Sequence, residues 1–174
     1  GCPGGEVPSL IYQGRYDEAR NTAEWYKEVF GSYFLEVMKH GGVPGLPEIN
    51  KGLVNLSQEI EIPLVATNDS HYVLESHAPN HDVLLCIQTN SNINDPNRMK
   101  FEEASYHLRS HEEMVGLFSE TPEAIANTDM IAEMCNLELD FTQARLPEFH
   151  VPAGMTSDEY LANVCWDGFG RLLP

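Results

Sequence analysis

The chain has 174 residues, a formal net charge of −17, and 42% hydrophobic residues of which aromatics make 9% of the chain, enough apolar material for the core of one ordinary domain. Its longest apolar stretches, such as Val83-Leu84-Leu85-Cys86-Ile87, are far too short to span a bilayer, and no basic, apolar leader opens the sequence, which predicts a cytoplasmic protein with no membrane partner. The acidic balance opposes tight, independent binding to nucleic acid, because that affinity comes largely from lysine and arginine neutralising phosphates.

The first residues read as a loop. Residues 15–30 then place Tyr16, Ala19, Ala23 and Tyr26 at helical spacing and stop at Gly31, a suitable C-terminal cap. Residues 33–38 are short, aromatic and bounded by glycines, which predicts a strand. After a loop rich in glycine and proline, Ile49, Leu53, Leu56 and Ile60 recur at helical intervals and lead into a second strand over 62–67. The order helix, strand, helix, strand predicts an α/β fold with a parallel sheet, in which ligand sites gather at the carboxyl ends of strands.

Residues 77–89 predict a third helix with Val83, Leu84 and Ile87 inward, followed by a polar loop over 90–97. Ser110-His111-Glu112-Glu113 has the form of a capping box and opens a helix burying Met114, Leu117 and Phe118. Thr121-Pro122 predicts another start, with a side-chain cap and with Ile125, Thr128, Ala132 and Cys135 as the inner face. Pro147, Pro152 and Gly154 break the pattern and place a boundary near 147–155, after which Thr156 and Glu159 form a second capping box before a helix containing Tyr160, Leu161 and Val164.

Chemistry concentrates at Asp69-Ser70-His71, just past the second strand. If the chain stays extended there, residues two apart project to one side, so a carboxylate and an imidazole can reach one metal ion. Asn68 and Asp69 equally suit a plain turn. Cys2, Cys86, Cys135 and Cys165 form no CxxC pair and fit reduced thiols, with Cys86 and Cys135 in the core. His77 and His81 lie four apart on one helical face, which can chelate zinc but more simply marks a helix start. Arg98 and Lys100 could touch a phosphate backbone, although a solvated loop explains them as well. Trp25, Tyr26, Phe30, Tyr33 and Phe34 follow helix and strand periods and read as packing residues.

Several motifs occur in a telling order: residues 1–8 (Gly-Cys-Pro-Gly-Gly-Glu-Val-Pro), Phe34-Leu35-Glu36, Ala66-Thr67-Asn68-Asp69-Ser70-His71-Tyr72, His81 to Thr89, Asp95 to Phe101, and Asn127-Thr128 with Cys135 to Leu139. Together they resemble the catalytic alpha subunits of bacterial DNA polymerase III over almost the whole chain. The resemblance implies a fragment: residues 1–150 as the later part of the PHP (polymerase and histidinol phosphatase) domain, a distorted (βα)7 barrel, and residues 151–174 as a linker and first helix towards the palm. It implies Cys2, Asp69 and His71 as ligands of divalent metal, zinc or manganese, with magnesium at a palm site outside this segment. It also implies DNA synthesis by the full-length protein from primer-template and deoxynucleoside triphosphates, 3'-5' exonuclease potential in the PHP domain, and a sliding clamp and a proofreading subunit as partners. An inactive PHP scaffold that docks the proofreading subunit is one alternative, and a stand-alone PHP phosphoesterase is another. Pro3, Gly4 and His107 depart from the usual family residues.

Overall fold

The structure, a computed structural model, describes residues 3–142, 147 and 149–172. Two compact units divide between Asn136 and Leu137. In chain order the first contains α1 (Glu6–Tyr12), α2 (Tyr16–Phe30), β1 (Leu35–Met38), α3 (Leu46–Ile60), β2 (Leu64–Thr67), a 3-10 turn (Glu75–His77), α4 (Ala78–Gln88), α5 (His111–Leu117) and α6 (Pro122–Met134). The second contains α7 (Ser157–Leu172).

β1 and β2 pair in parallel, with Leu35 opposite Leu64 and Met38 opposite Thr67, as the alternation of elements predicts. They form a two-stranded sheet, and no barrel closes among the described residues. Tyr33 and Phe34 precede β1 rather than belonging to it. α1 packs against α2 and α3, α3 against β1, and α6 against β2. Leu56, Ile62, Leu35 and Phe118 fill the centre at 2% exposure or less. Asn127 of α6 donates its side-chain N–H to the Leu64 carbonyl over 2.7 Å, fixing that helix on the strand.

α1 corrects the expectation of a loop. Val7, Leu10 and Ile11 sit at helical spacing, and Val7 and Leu10 are buried. Its contact with α3 depends on missing side chains: a Cβ on Gly52 would lie 2.4 Å from Ile11, and one on Gly45, at φ +74°, 2.1 Å from the Tyr12 ring.

α4 is a second correction. Leu85 and Cys86 are buried, whereas Val83, Leu84 and Ile87 are 51%, 60% and 72% exposed. Residues 83–87 are apolar all round, so spacing could not choose the inward side; the neighbouring segment does, because Leu85 borders a cavity shared with Phe101. On α6, Ala124 is buried and Ile125 packs on the core, while Cys135 is exposed rather than in the core, at the end of the helix. Thr121 makes no side-chain cap; with ψ of 61°, its backbone is not in the extended form that usually aims a cap. Trp25 and Phe30 are also exposed, while Tyr26 and Tyr33 stack on each other at 5.1 Å and pack against the core.

Both predicted capping boxes are present. The Glu113 N–H donates to Ser110 Oγ over 3.2 Å and the Ser110 N–H to Glu113 Oε2 over 2.7 Å. At α7 the Thr156 N–H donates to Glu159 Oε2 over 2.8 Å and the Glu159 N–H returns to Thr156 Oγ1 over 3.3 Å. Among the described residues no helix is long and apolar enough to cross a membrane.

Candidate functional site

The carboxyl ends of the two strands bring three polar side chains together. Two residues past the Met38–Thr67 pair, the strands reach His40 and Asp69 respectively, and His71 follows. Cys2 lies outside the described residues.

Asp69 and His71 do approach each other, though not through an extended chain. Asp69 has φ of 49°, a left-handed turn conformation that aspartate tolerates better than most residues. The turn brings His71 Nδ1 within 2.6 Å of the Asp69 carbonyl and 4.0 Å of its Oδ1. A carbonyl can only accept, so in the neutral ring Nδ1 carries the proton and Nε2 keeps its lone pair. This is the arrangement by which a ligating histidine is commonly oriented. Both side chains remain partly open to solvent, at 47% for Asp69 and 33% for His71.

A neighbouring segment holds this turn from outside. The Asn68 amide donates to the carbonyls of His107, at 2.7 Å, and Ser105, at 3.2 Å. The His71 N–H donates to the Tyr106 carbonyl over 2.8 Å, and Tyr72 bridges to His107 in parallel. His107 therefore serves through its backbone, while its Nε2 stands 3.6 Å from Glu113. Phe101 and Tyr106 present their rings edge-on to His71 at 4.9 and 5.6 Å.

Sequence reasoning left two histidines out of this group. His81, set aside as a helix-start residue, meets the His71 ring at 5.3 Å, and burial followed by repulsion from His71 lowers its pKa against a partial offset by Asp82. His40 belongs to no motif in the sequence, and its place two residues beyond a parallel strand is the signal that could find it. Its side chain is 2% exposed and stacks on Tyr106 at 4.2 Å. Burial lowers its pKa, with Glu103 acting in the opposite direction and Arg109 reinforcing the shift. Glu103 stays below the usual carboxylate range: burial works against its charge, but hydrogen bonds from Ser105, Gly41 and Gly42 outweigh that.

Two cavities flank the group. One of about 370 Å³ is bordered by Tyr72, His81, Asp82, Phe101 and Glu103. A larger one of about 640 Å³ lies beside the end of β1, with His40, Asn50 and Phe118 on its wall, and does not include Asp69 or His71. The carboxylate and histidine chemistry, rather than cavity size, makes the turn the candidate site. Arg98 is unavailable to a phosphate backbone: its guanidinium grips Asp82 with two hydrogen bonds of 2.5 and 2.6 Å, and its side chain is 9% exposed. Lys100 stands 3.5 Å from Glu102.

The donors suit a divalent ion: Asp69 offers carboxylate oxygens and His71 a free Nε2. Among the described residues, however, no group of at least three histidine, cysteine, aspartate or glutamate side chains is arranged to hold one.

No protein-family model matches the chain. Among curated proteins it is 39% identical over 170 residues to DNA polymerase III subunit alpha of Borreliella burgdorferi, covering 96% of this chain and 15% of that protein. The protein of the same name from Treponema pallidum is 38% identical over 161 residues, covering 91% of this chain and 14% of the relative. That from Deinococcus radiodurans is 41% identical over 183 aligned positions, covering all of this chain and 14% of the relative. The chain thus spans about one seventh of the length of these relatives. Over nearly its whole length, the chain belongs with one segment of DNA polymerase III subunit alpha.

Proposed function

We propose that this chain is the later part of the PHP domain of a replicative DNA polymerase alpha subunit, with the first helix towards the palm. In this reading the two parallel strands of the described residues would belong to a barrel completed by other parts of the polypeptide. The full-length cytoplasmic protein extends primed DNA from deoxynucleoside triphosphates, using magnesium at a palm site elsewhere, together with a sliding clamp and a proofreading subunit. The PHP site contributes 3'-5' phosphodiester hydrolysis.

The observation that carries the metal reading is the contact of His71 Nδ1 with the Asp69 carbonyl at 2.6 Å, which leaves the Nε2 lone pair available on a ring whose Nδ1 stands 4.0 Å from Asp69 Oδ1. Asp69, His71 and the Cys2 thiolate would hold zinc or manganese. A bound divalent ion supplies Lewis-acid polarisation of a phosphodiester oxygen and eases deprotonation of water at neutral pH. Asn68 fixes the turn through its two backbone carbonyl partners, and Phe101 and Tyr106 limit water on one side of His71.

In the full-length protein, Asp69→Asn should remove a high-affinity Mn²⁺ site, lower any 3' exonuclease activity at least tenfold and leave primer extension largely intact. Unchanged metal content in the folded variant would overturn the ligand assignment. The lack of a third donor among the described residues favours the scaffold reading as the second possibility, and it predicts Mn²⁺ binding without exonuclease activity or no binding at all.

A further inference from the structure

The larger of the two cavities, of about 640 Å³ beside the end of β1, has the size of a site for a small organic molecule, for which about 300–1,000 Å³ is usual. Its apolar wall comes from three parts of the fold: Val37 of β1, Leu46 and Val54 of α3, and Phe118 just after α5. Positions 47, 50, 51, 54 and 55 of α3 also border it, a spacing that puts them on one face of the helix.

Charge sets this wall apart from the rest of the chain. Acids outnumber lysines and arginines by 27 to 10 over the whole sequence, yet the cavity is bordered by Lys39, Lys51 and a single acid, Glu120. Lys39 is already engaged: its Nζ donates to the Leu117 carbonyl over 2.6 Å and stands 3.7 Å from Glu120 Oε2, so those two charges offset each other. Lys51 is not. Among the described residues it is the one basic side chain with neither a hydrogen bond nor an ion pair, although Glu48 precedes it by three residues on the same helix. An unpaired ammonium beside an apolar wall favours an anion there. Thr121, whose hydroxyl makes no cap on α6, adds a hydrogen-bonding group to the same wall.

We propose that this cavity is a binding site for a small organic monoanion with an apolar, ring-sized body. The body lies on the apolar wall and the acidic group meets the exposed Lys51. A neutral ligand would leave that ammonium unanswered, and a dianion would exceed the one charge left free. The site is separate from the Asp69–His71 turn, which the cavity does not include, and stands whether or not that turn binds metal.

The test uses the full-length protein and two fluorescent probes that share an apolar body and differ in charge, 8-anilinonaphthalene-1-sulfonate and the neutral N-phenyl-1-naphthylamine. Lys51→Glu, at an exposed position, should weaken the sulfonate about tenfold, the weight of a hydrogen bond to a charged group, and leave the neutral probe unchanged. Val54→Trp, which adds bulk at the wall, should weaken both. Equal sulfonate affinity in the wild type and in Lys51→Glu overturns the anion assignment. Neutral-probe binding that ignores Val54→Trp overturns the cavity as the place of the apolar body; if that variant does not fold, Lys51→Glu decides alone. Absence of saturable sulfonate binding to the wild type, as when another part of the polypeptide fills the cavity, overturns the site itself.

Discussion

Leu56 and Leu84 are the same residue type, both on helices of the first unit, with opposite fates: Leu56 is completely buried and Leu84 is 60% exposed. Of the four apolar residues that mark α3 in the sequence, Ile49, Leu53 and Leu56 are buried in the core and Ile60 packs against it, on a helix in contact with β1. The apolar residues of α4 surround the helix, so that burying Leu85 and Cys86 leaves Val83, Leu84 and Ile87 outside. The difference teaches that periodicity reports which side wants a partner only when the other side is polar.

The largest effect should come from the buried end of this comparison. Leu56→Ala leaves a cavity in the core cluster that also holds Ile62 and Leu35 and should cost about 2–5 kcal/mol, measured by denaturant unfolding. A loss below about 1 kcal/mol would mean that the core collapses around the gap and is not close-packed.

An intermediate effect belongs to the inner face of α4, through Asp82. Its hydrogen bonds from Arg98 hold the carboxyl below its ordinary value of 3.8. A depressed acid contributes stability above that value and loses it as pH falls through the lower folded-state pKa. Hydrogen exchange in residues 90–101 should therefore accelerate only in acid for the wild type, and already at neutral pH in Asp82→Asn. Identical exchange profiles for the two proteins at neutral pH would show that this ion pair does not hold the loop.

The smallest effect should be that of Leu84→Ser, within about 0.5 kcal/mol in this chain, as for other open surface positions. A loss comparable with Leu56→Ala would break the comparison, because it would require something to cover α4. Repeating the same pair of variants in the full-length protein sharpens the point, since only there can other parts of the polypeptide meet this face.

Much of the fold was legible because its signals are local. The stripes of α2 and α3, the run entering β2, and the capping boxes at Ser110 and Thr156 all lie within a few residues of the feature they specify. α1 departs from the expected loop although Val7, Leu10 and Ile11 carry helical spacing, because seven residues hold too short a stripe to stand out. The site was legible only in part. Asp69 and His71 are neighbours in sequence, but His40, His81, Phe101 and Tyr106 reach them through tertiary structure. Even the local geometry differed from expectation: an extended chain and a left-handed turn both bring residues two apart together, and no spacing rule separates them.

That left-handed turn has a consequence for reading natural variation. At φ of 49°, position 69 favours glycine, asparagine and aspartate on backbone grounds alone, and penalises valine or isoleucine whatever the site binds. A set of relatives restricted to those small or polar residues would therefore report the shape of the chain, not its chemistry. Only a preference for aspartate over asparagine, two residues that fit the turn about equally well, would register selection for the charge.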